Sequence, residues 1–121
     1  MLEARSQLDS TEIARKVVEV ASDRQATDVV LLDLRRQWDF ADYFVVATGE
    51  SEPQRRALTE EIAKTLHNVG VSLHHREGSE AGGWVLLDFG DVIVHIFDPE
   101  ARGFYQLDRL WDAASRVVYI Q

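Results

Sequence analysis

Asp88-Phe89-Gly90-Asp91 sets two carboxylates three residues apart around a glycine. Its first three letters are those of the magnesium-binding loop of protein kinases. A kinase also needs a glycine-rich loop, a strand lysine and a catalytic aspartate, in a far longer chain. Bracketed by the apolar runs Trp84–Leu87 and Val92–Phe97, the same four residues read as a tight hairpin turn. The carboxylate pair is then accounted for by solvation and turn formation. Gly78, Gly82 and Gly83 have the spacing of a loose phosphate loop, but the lysine and hydroxyl that handle phosphate and magnesium are missing. A flexible loop before a strand is the better reading. His74, His75 and His95 are the histidines to weigh as metal ligands. Neighbours in a strand, His74 and His75 would point to opposite faces. His95 shares a strand face with Ile93 and Phe97, as a hydrogen-bonded core histidine does. Ser51 has no base near it in sequence and fits a helix N-cap. None of these groups is a specific catalytic or metal signature.

The elements that must position these residues follow from local pattern. Asp9 and Glu12 have the spacing of a capping box for a helix over Ser10–Ala21, with Ile13, Val17, Val20 and Ala21 on one face. Asp28–Leu34 and Tyr43–Thr48 read as strands apolar on both faces, as in a sheet covered by helices. Ser51, Pro53 and Gln54 open a second helix to about Asn68, with Leu58, Ile62 and Leu66 as its buried stripe and Gly70 as its stop. Val71–Arg76 reads as a strand, Gly78–Gly83 as a loop, and Gly83–Asp88 with Asp91–Phe97 as a hairpin. Asp98 caps a short helix from Pro99, where Gly103 costs about 1 kcal/mol relative to alanine. Leu107, Leu110 and Trp111 have helical spacing, and Val117–Ile120 is a terminal strand or an apolar tail. The order α-β-β-α-β-β-β-α predicts an α/β fold: one mixed β-sheet with flanking helices.

Composition bounds the class. At 121 residues and 45% hydrophobic residues, the chain reads as a single domain with a core over about 10–111. It has no cysteine, which excludes disulfides and thiolate zinc sites and suits a reducing compartment. No apolar run approaches the ~18 residues of a membrane helix. The N-terminus lacks the pattern of a signal peptide, so the expectation is a cytoplasmic protein. Thirteen Lys and Arg stand against 21 Asp and Glu, a net charge of −8. With only Arg35-Arg36 and Arg55-Arg56 as basic clusters, free nucleic acid is not an expected partner, and a basic partner is. Aromatic residues crowd the last third. Trp84 and Leu86 share one strand face, Val85 and Leu87 the other. A face left partly uncovered there would be an interface patch.

Three stretches carry a resemblance: Asp42-Tyr43-Phe44-Val45-Val46-Ala47-Thr48-Gly49, then Glu77-Gly78, then the run from Gly83-Trp84 through Asp88-Phe89-Gly90-Asp91 to His95-Ile96-Phe97. Arg102, Tyr105, Leu107 and Leu110-Trp111 follow in order. Over Ser10–Trp111 the sequence resembles the ribosomal silencing factor family, also called iojap-like. That resemblance implies a minimal nucleotidyltransferase-like fold without the activity, a homodimer, and no cofactor or metal. It also implies binding to the large ribosomal subunit through ribosomal protein L-fourteen, which blocks joining of the small subunit and represses translation when nutrients are scarce. By the same analogy Trp84, Phe89 and Tyr105, with Phe97, would face the ribosomal protein, and Asp88 and Asp91 would meet its basic side chains. The related enzymes follow a Gly-Ser turn with an Asp-x-Asp metal pair. Here Gly49-Glu50-Ser51 is not followed by such a pair on a strand. Two other classes remain: an assembly or adaptor protein of the large subunit, and a nucleotide-binding or nucleotidyltransferase domain.

Overall fold

The computed structural model describes residues 8–36, 39–105 and 115–120; for Tyr105 and for 115–120 the description is of the backbone. The first helix, α1 (Ser10–Asp23), begins where the side chains dictate. The Asp9 carboxylate accepts the Glu12 backbone N–H at 2.9 Å, and the Glu12 carboxylate accepts that of Asp9 at 3.0 Å. Two of the otherwise unpaired donors at the helix start are satisfied reciprocally. Strands β1 (Thr27–Asp33) and β2 (Tyr43–Thr48) follow, and all six positions of β2 are buried, as its two-sided apolar run predicts.

Helix α2 (Glu52–Asn68) starts at Ser51, whose Oγ accepts the Gln54 N–H at 3.2 Å. The Gln54 side chain accepts from Glu50 N–H through Oε1 and donates through Nε2 to the carbonyls of Arg24 and Gln25. One amide therefore ties the start of α2 to the end of α1. The remaining elements are β3 (His75–Ser79), β4 (Trp84–Asp88), β5 (Val92–Phe97), α3 (Pro99–Tyr105) and β6 (Ser115–Ile120).

The six strands form one mixed sheet in the order β3-β4-β5-β2-β1-β6. Only β2 and β5 run parallel; every other neighbouring pair is antiparallel. Helices α1 and α2 cover one face. There Val17, Ala21, Leu58, Ile62 and Leu66 pack on Val29, Leu31, Val45, Val85, Leu87, Val94 and Ile96. The opposite face carries Val30, Leu32 and Phe44 in one cluster, and Val46 and Phe97 in another, the latter packed by Trp84 and by Ala101 of α3. The expected α/β fold, a mixed sheet with flanking helices, is what forms. No described helix is long and apolar enough to cross a membrane.

One element differs from expectation. The third strand is His75–Ser79, not Val71–Arg76. Val71 is buried and donates its N–H to Leu66 O at 2.8 Å, so it completes the end of α2 instead of entering the sheet. The expected loop at Gly78 is part of this strand: Gly78 pairs with Val85 at φ +80°. Of the two readings open for Val117–Ile120, the terminal strand is the one that forms, as part of edge strand β6 paired with β1. The expected helical segment through Leu107, Leu110 and Trp111 lies outside the described residues.

Candidate functional site

Trp84 opens β4 opposite Phe97 of β5, and Leu86 stands opposite His95. Directly paired antiparallel residues share a face, so these four side chains lie on the side away from α1 and α2. On the same face, β3 places Ser79 opposite Trp84, Glu77 opposite Leu86 and His75 opposite Asp88. Trp84 and Leu86 are half-buried, while Glu77 and His75 are exposed. Glu77, Gly78, Trp84 and Leu86 line an open cleft of about 190 Å³. Its walls are an indole, a leucine, a glycine backbone and one carboxylate. This is a surface suited to receiving an apolar side chain of a partner beside a basic one.

The indole is fixed from behind. Its ring lies 5.0 Å from that of Phe97 and 6.0 Å from that of His95. Its Nε1–H donates to His95 Nδ1 at 3.2 Å. His95 is 4% exposed, and burial pushes its pKa down to about 4, so the ring is neutral near pH 7. This is the hydrogen-bonded core histidine that its position between Ile93 and Phe97 predicts, and its partner is the tryptophan.

The β4–β5 turn carries the two aspartates. Asp88 Oδ1 accepts the Gly90 N–H at 2.8 Å, and Gly90 sits at φ +95°, a left-handed conformation that glycine adopts without strain. The Asp91 carbonyl accepts N–H groups from both Asp42 and Tyr43, while its side chain is exposed. Asp88 shares the face of Trp84 but stands four residues along the strand, roughly 13 Å away at the usual rise. Aromatic and acidic features thus occupy opposite ends of one strand.

Two of the six expected contact residues are placed otherwise. Phe89 is 6% exposed and packs into the main core beneath α1 and α2. Phe97 is fully buried between Trp84 and α3. Neither ring is presented on the surface: Phe97 shares the face of Trp84 and lies beneath it, whereas Phe89 follows β4 and packs on the helix-covered side of the sheet. The Tyr105 side chain lies outside the described residues. The other candidates disperse. His74 lies one residue before β3 with its ring against Gly90, whereas His75 bonds Glu77 Oε2 at 2.8 Å. Among the described residues no group of three or more His, Asp or Glu side chains is placed to hold a metal ion. Ser51 is the N-cap.

Two features escaped the sequence reading. Glu77 and Gly78 complete the cleft beside Trp84 and Leu86, which depends on the β3–β4 register. Arg55 is 7% exposed and donates from Nε to Glu80 O at 2.8 Å and from Nη1 to Gly49 O at 2.9 Å. It locks the β2–α2 turn to the β3–β4 turn. The available signal was a cation in the first turn of a helix, where the helix dipole disfavours it unless another contact compensates.

Comparison with known proteins agrees with this architecture. A family model described as "ribosomal silencing factor during starvation" matches residues 7–121. The ribosomal silencing factor RsfS of Halalkalibacterium halodurans is 34% identical over 110 residues, covering 91% of this chain and 94% of that protein. A crystal structure of a Chromobacterium violaceum protein superposes with a TM-score of 0.82 at 32% identity, covering 93% of this chain and 92% of the other. More distant is the mouse "mitochondrial assembly of ribosomal large subunit protein 1", 26% identical over 102 residues, 82% of this chain and 45% of its own length. Sequence match and shared fold together place this chain in the ribosomal silencing factor family.

Proposed function

We propose that this protein binds the large ribosomal subunit through ribosomal protein L-fourteen and sterically blocks joining of the small subunit, repressing translation under nutrient limitation. The observation that carries this reading is the silencing-factor match over residues 7–121. The Trp84 cleft supports it as the docking surface: a half-buried aromatic anchor, apolar Leu86 beside it, and acidic Glu77 and Asp88 on the same face. Asp88 and Asp91 meet basic side chains of the ribosomal protein, as suits a chain of net charge −8. Phe97 acts from beneath Trp84, Phe89 steadies the β4–β5 turn from the helix-covered side, and Tyr105 completes the contact. The protein works in the cytoplasm as a single homodimerising domain, its fold akin to a minimal nucleotidyltransferase, and it needs no cofactor. Gradient sedimentation with isolated subunits tests this. The protein should travel with the large subunit and lower the yield of joined ribosomes when the small subunit is added. Sedimentation with neither subunit overturns the reading and makes metal-dependent nucleotide binding the next assay.

A second reading, assembly of the large subunit without silencing, is favoured by the name of the mouse relative. Under it, the protein co-sediments with the large subunit and leaves subunit joining unchanged.

A further inference from the structure

His95 is a polar residue at a position whose surroundings are those of a core. Its ring is stacked at 7° to that of Phe97, and the Phe44 ring lies 4.7 Å away on the neighbouring strand. An aliphatic side chain would fill this space without bringing buried nitrogens. The indole Nε1–H of Trp84 can only donate, so His95 Nδ1 must accept, and the proton of the neutral ring sits on Nε2. Nε2 is buried with no hydrogen-bond partner among the described residues. A buried donor left without a partner is a standing penalty, and each such group calls for a reason. The bond from Trp84 supplies one. It is a directional contact reaching from a closely held core ring to a half-exposed surface ring.

We propose that His95 is a positioning residue for Trp84, holding the indole through Nδ1 in the orientation in which it presents the cleft beside Leu86 to its partner. The orientation stands on geometry alone, while its consequence for docking rests on the function proposed above. Preorganisation is the physical gain: an indole already held in place loses less freedom on binding. The acceptor survives at neutral pH because burial keeps the ring uncharged. The charged and titratable groups around this face among the described residues include His75 and Asp88, which pair further along β3 and β4. Glu77 lies across Leu86 on β3, and Arg102 of α3 donates to Thr48 Oγ1. Asp98 caps α3 through Ala101 N–H.

The test uses the full chain. Nitrogen NMR of the wild type at pH 7 should show His95 protonated on Nε2, together with a Trp84 indole N–H protected from exchange. A proton on Nδ1, or a rapidly exchanging Trp84 indole, overturns the proposal whether or not the protein binds ribosomes. His95→Leu keeps the bulk and removes the acceptor, whereas His95→Asn offers a carbonyl oxygen near the place of Nδ1. Co-sedimentation with large subunits should weaken about tenfold in His95→Leu and recover in His95→Asn. Equal binding by wild type and a folded His95→Leu removes the docking role. Should neither variant fold, the wild-type NMR result decides. Should the wild type itself not bind large subunits, the proposed function fails and the indole resonance still reports whether His95 positions Trp84.

Discussion

Trp84 combines a half-exposed ring with a fully buried floor in Phe97 and a hydrogen-bonded edge at His95. Such residues anchor interfaces, because a large rigid side chain contributes contact area with little further loss of freedom. Trp84→Ala should lower affinity for the large subunit by at least ~2 kcal/mol while leaving a cooperative unfolding transition. Unchanged co-sedimentation of the folded variant would remove Trp84 from the surface. His95 yields a second outcome, in acid. Its pKa is about 4 in the fold against 6.5 for an unperturbed imidazole. Between those values the unfolded chain takes up a proton that the folded chain refuses. The contribution is therefore intact above pH 6.5 and is lost progressively as pH falls towards 4, by up to roughly 3 kcal/mol. Urea unfolding at pH 7.5 and pH 4.5 should show a smaller acid loss in His95→Leu than in the wild type. Equal losses would mean that other groups carry the acid sensitivity.

The cleft belongs to a pair of strands, and its shape depends on their register. Gly78 sits in β3 at φ +80°, where a Cβ would come within 2.0 Å of the Trp84 carbonyl oxygen. No rotamer relieves that approach, because the neighbour is backbone. Gly78→Ala should cost at least ~2 kcal/mol from the left-handed conformation and the displaced ladder. It should also shift the Trp84 indole resonance, since Trp84 pairs with Ser79 next to it. Thermal melting and that resonance check both, and a variant with wild-type values would show that the β3–β4 register is set elsewhere. Arg55 reinforces the same pair from outside the sheet, through its bond to Glu80 O in the β3–β4 turn.

For the whole molecule, a charge of −8 should govern encounter more than grip. Attraction between an acidic protein and a basic partner is long-ranged and screened by salt, with a Debye length of about 10 Å at 0.1 M. Large-subunit binding should weaken as salt rises. The doubly neutralised Asp88→Asn, Asp91→Asn protein should show a shallower salt dependence, because both carboxylates lie at one turn. The Asn at 88 retains an acceptor for Gly90 N–H, so the turn itself should survive. A salt slope identical to that of the wild type would move the acidic contact away from the β4–β5 turn.

Sequence alone determined what is local. The Asp9–Glu12 capping box, the Ser51 N-cap, β2 with its apolar residues on both faces and the turn at Phe89-Gly90 depend on neighbours a few residues away, and each forms where its pattern predicts. The long Asp42–Gly49 and Gly83–Phe97 stretches likewise carried the family. Tertiary structure decided what depends on distant partners. Val71 was apolar enough for a strand, yet a bond back to Leu66 took it out of the sheet. The aromatic types of Trp84, Phe89 and Phe97 marked a surface, but only the pairing of β4 with β5 and the packing of α3 showed which rings are covered. The same pairing brought His95 to Trp84. An interaction between residues on two strands has no local signature, because it exists only once the ladder has chosen its register.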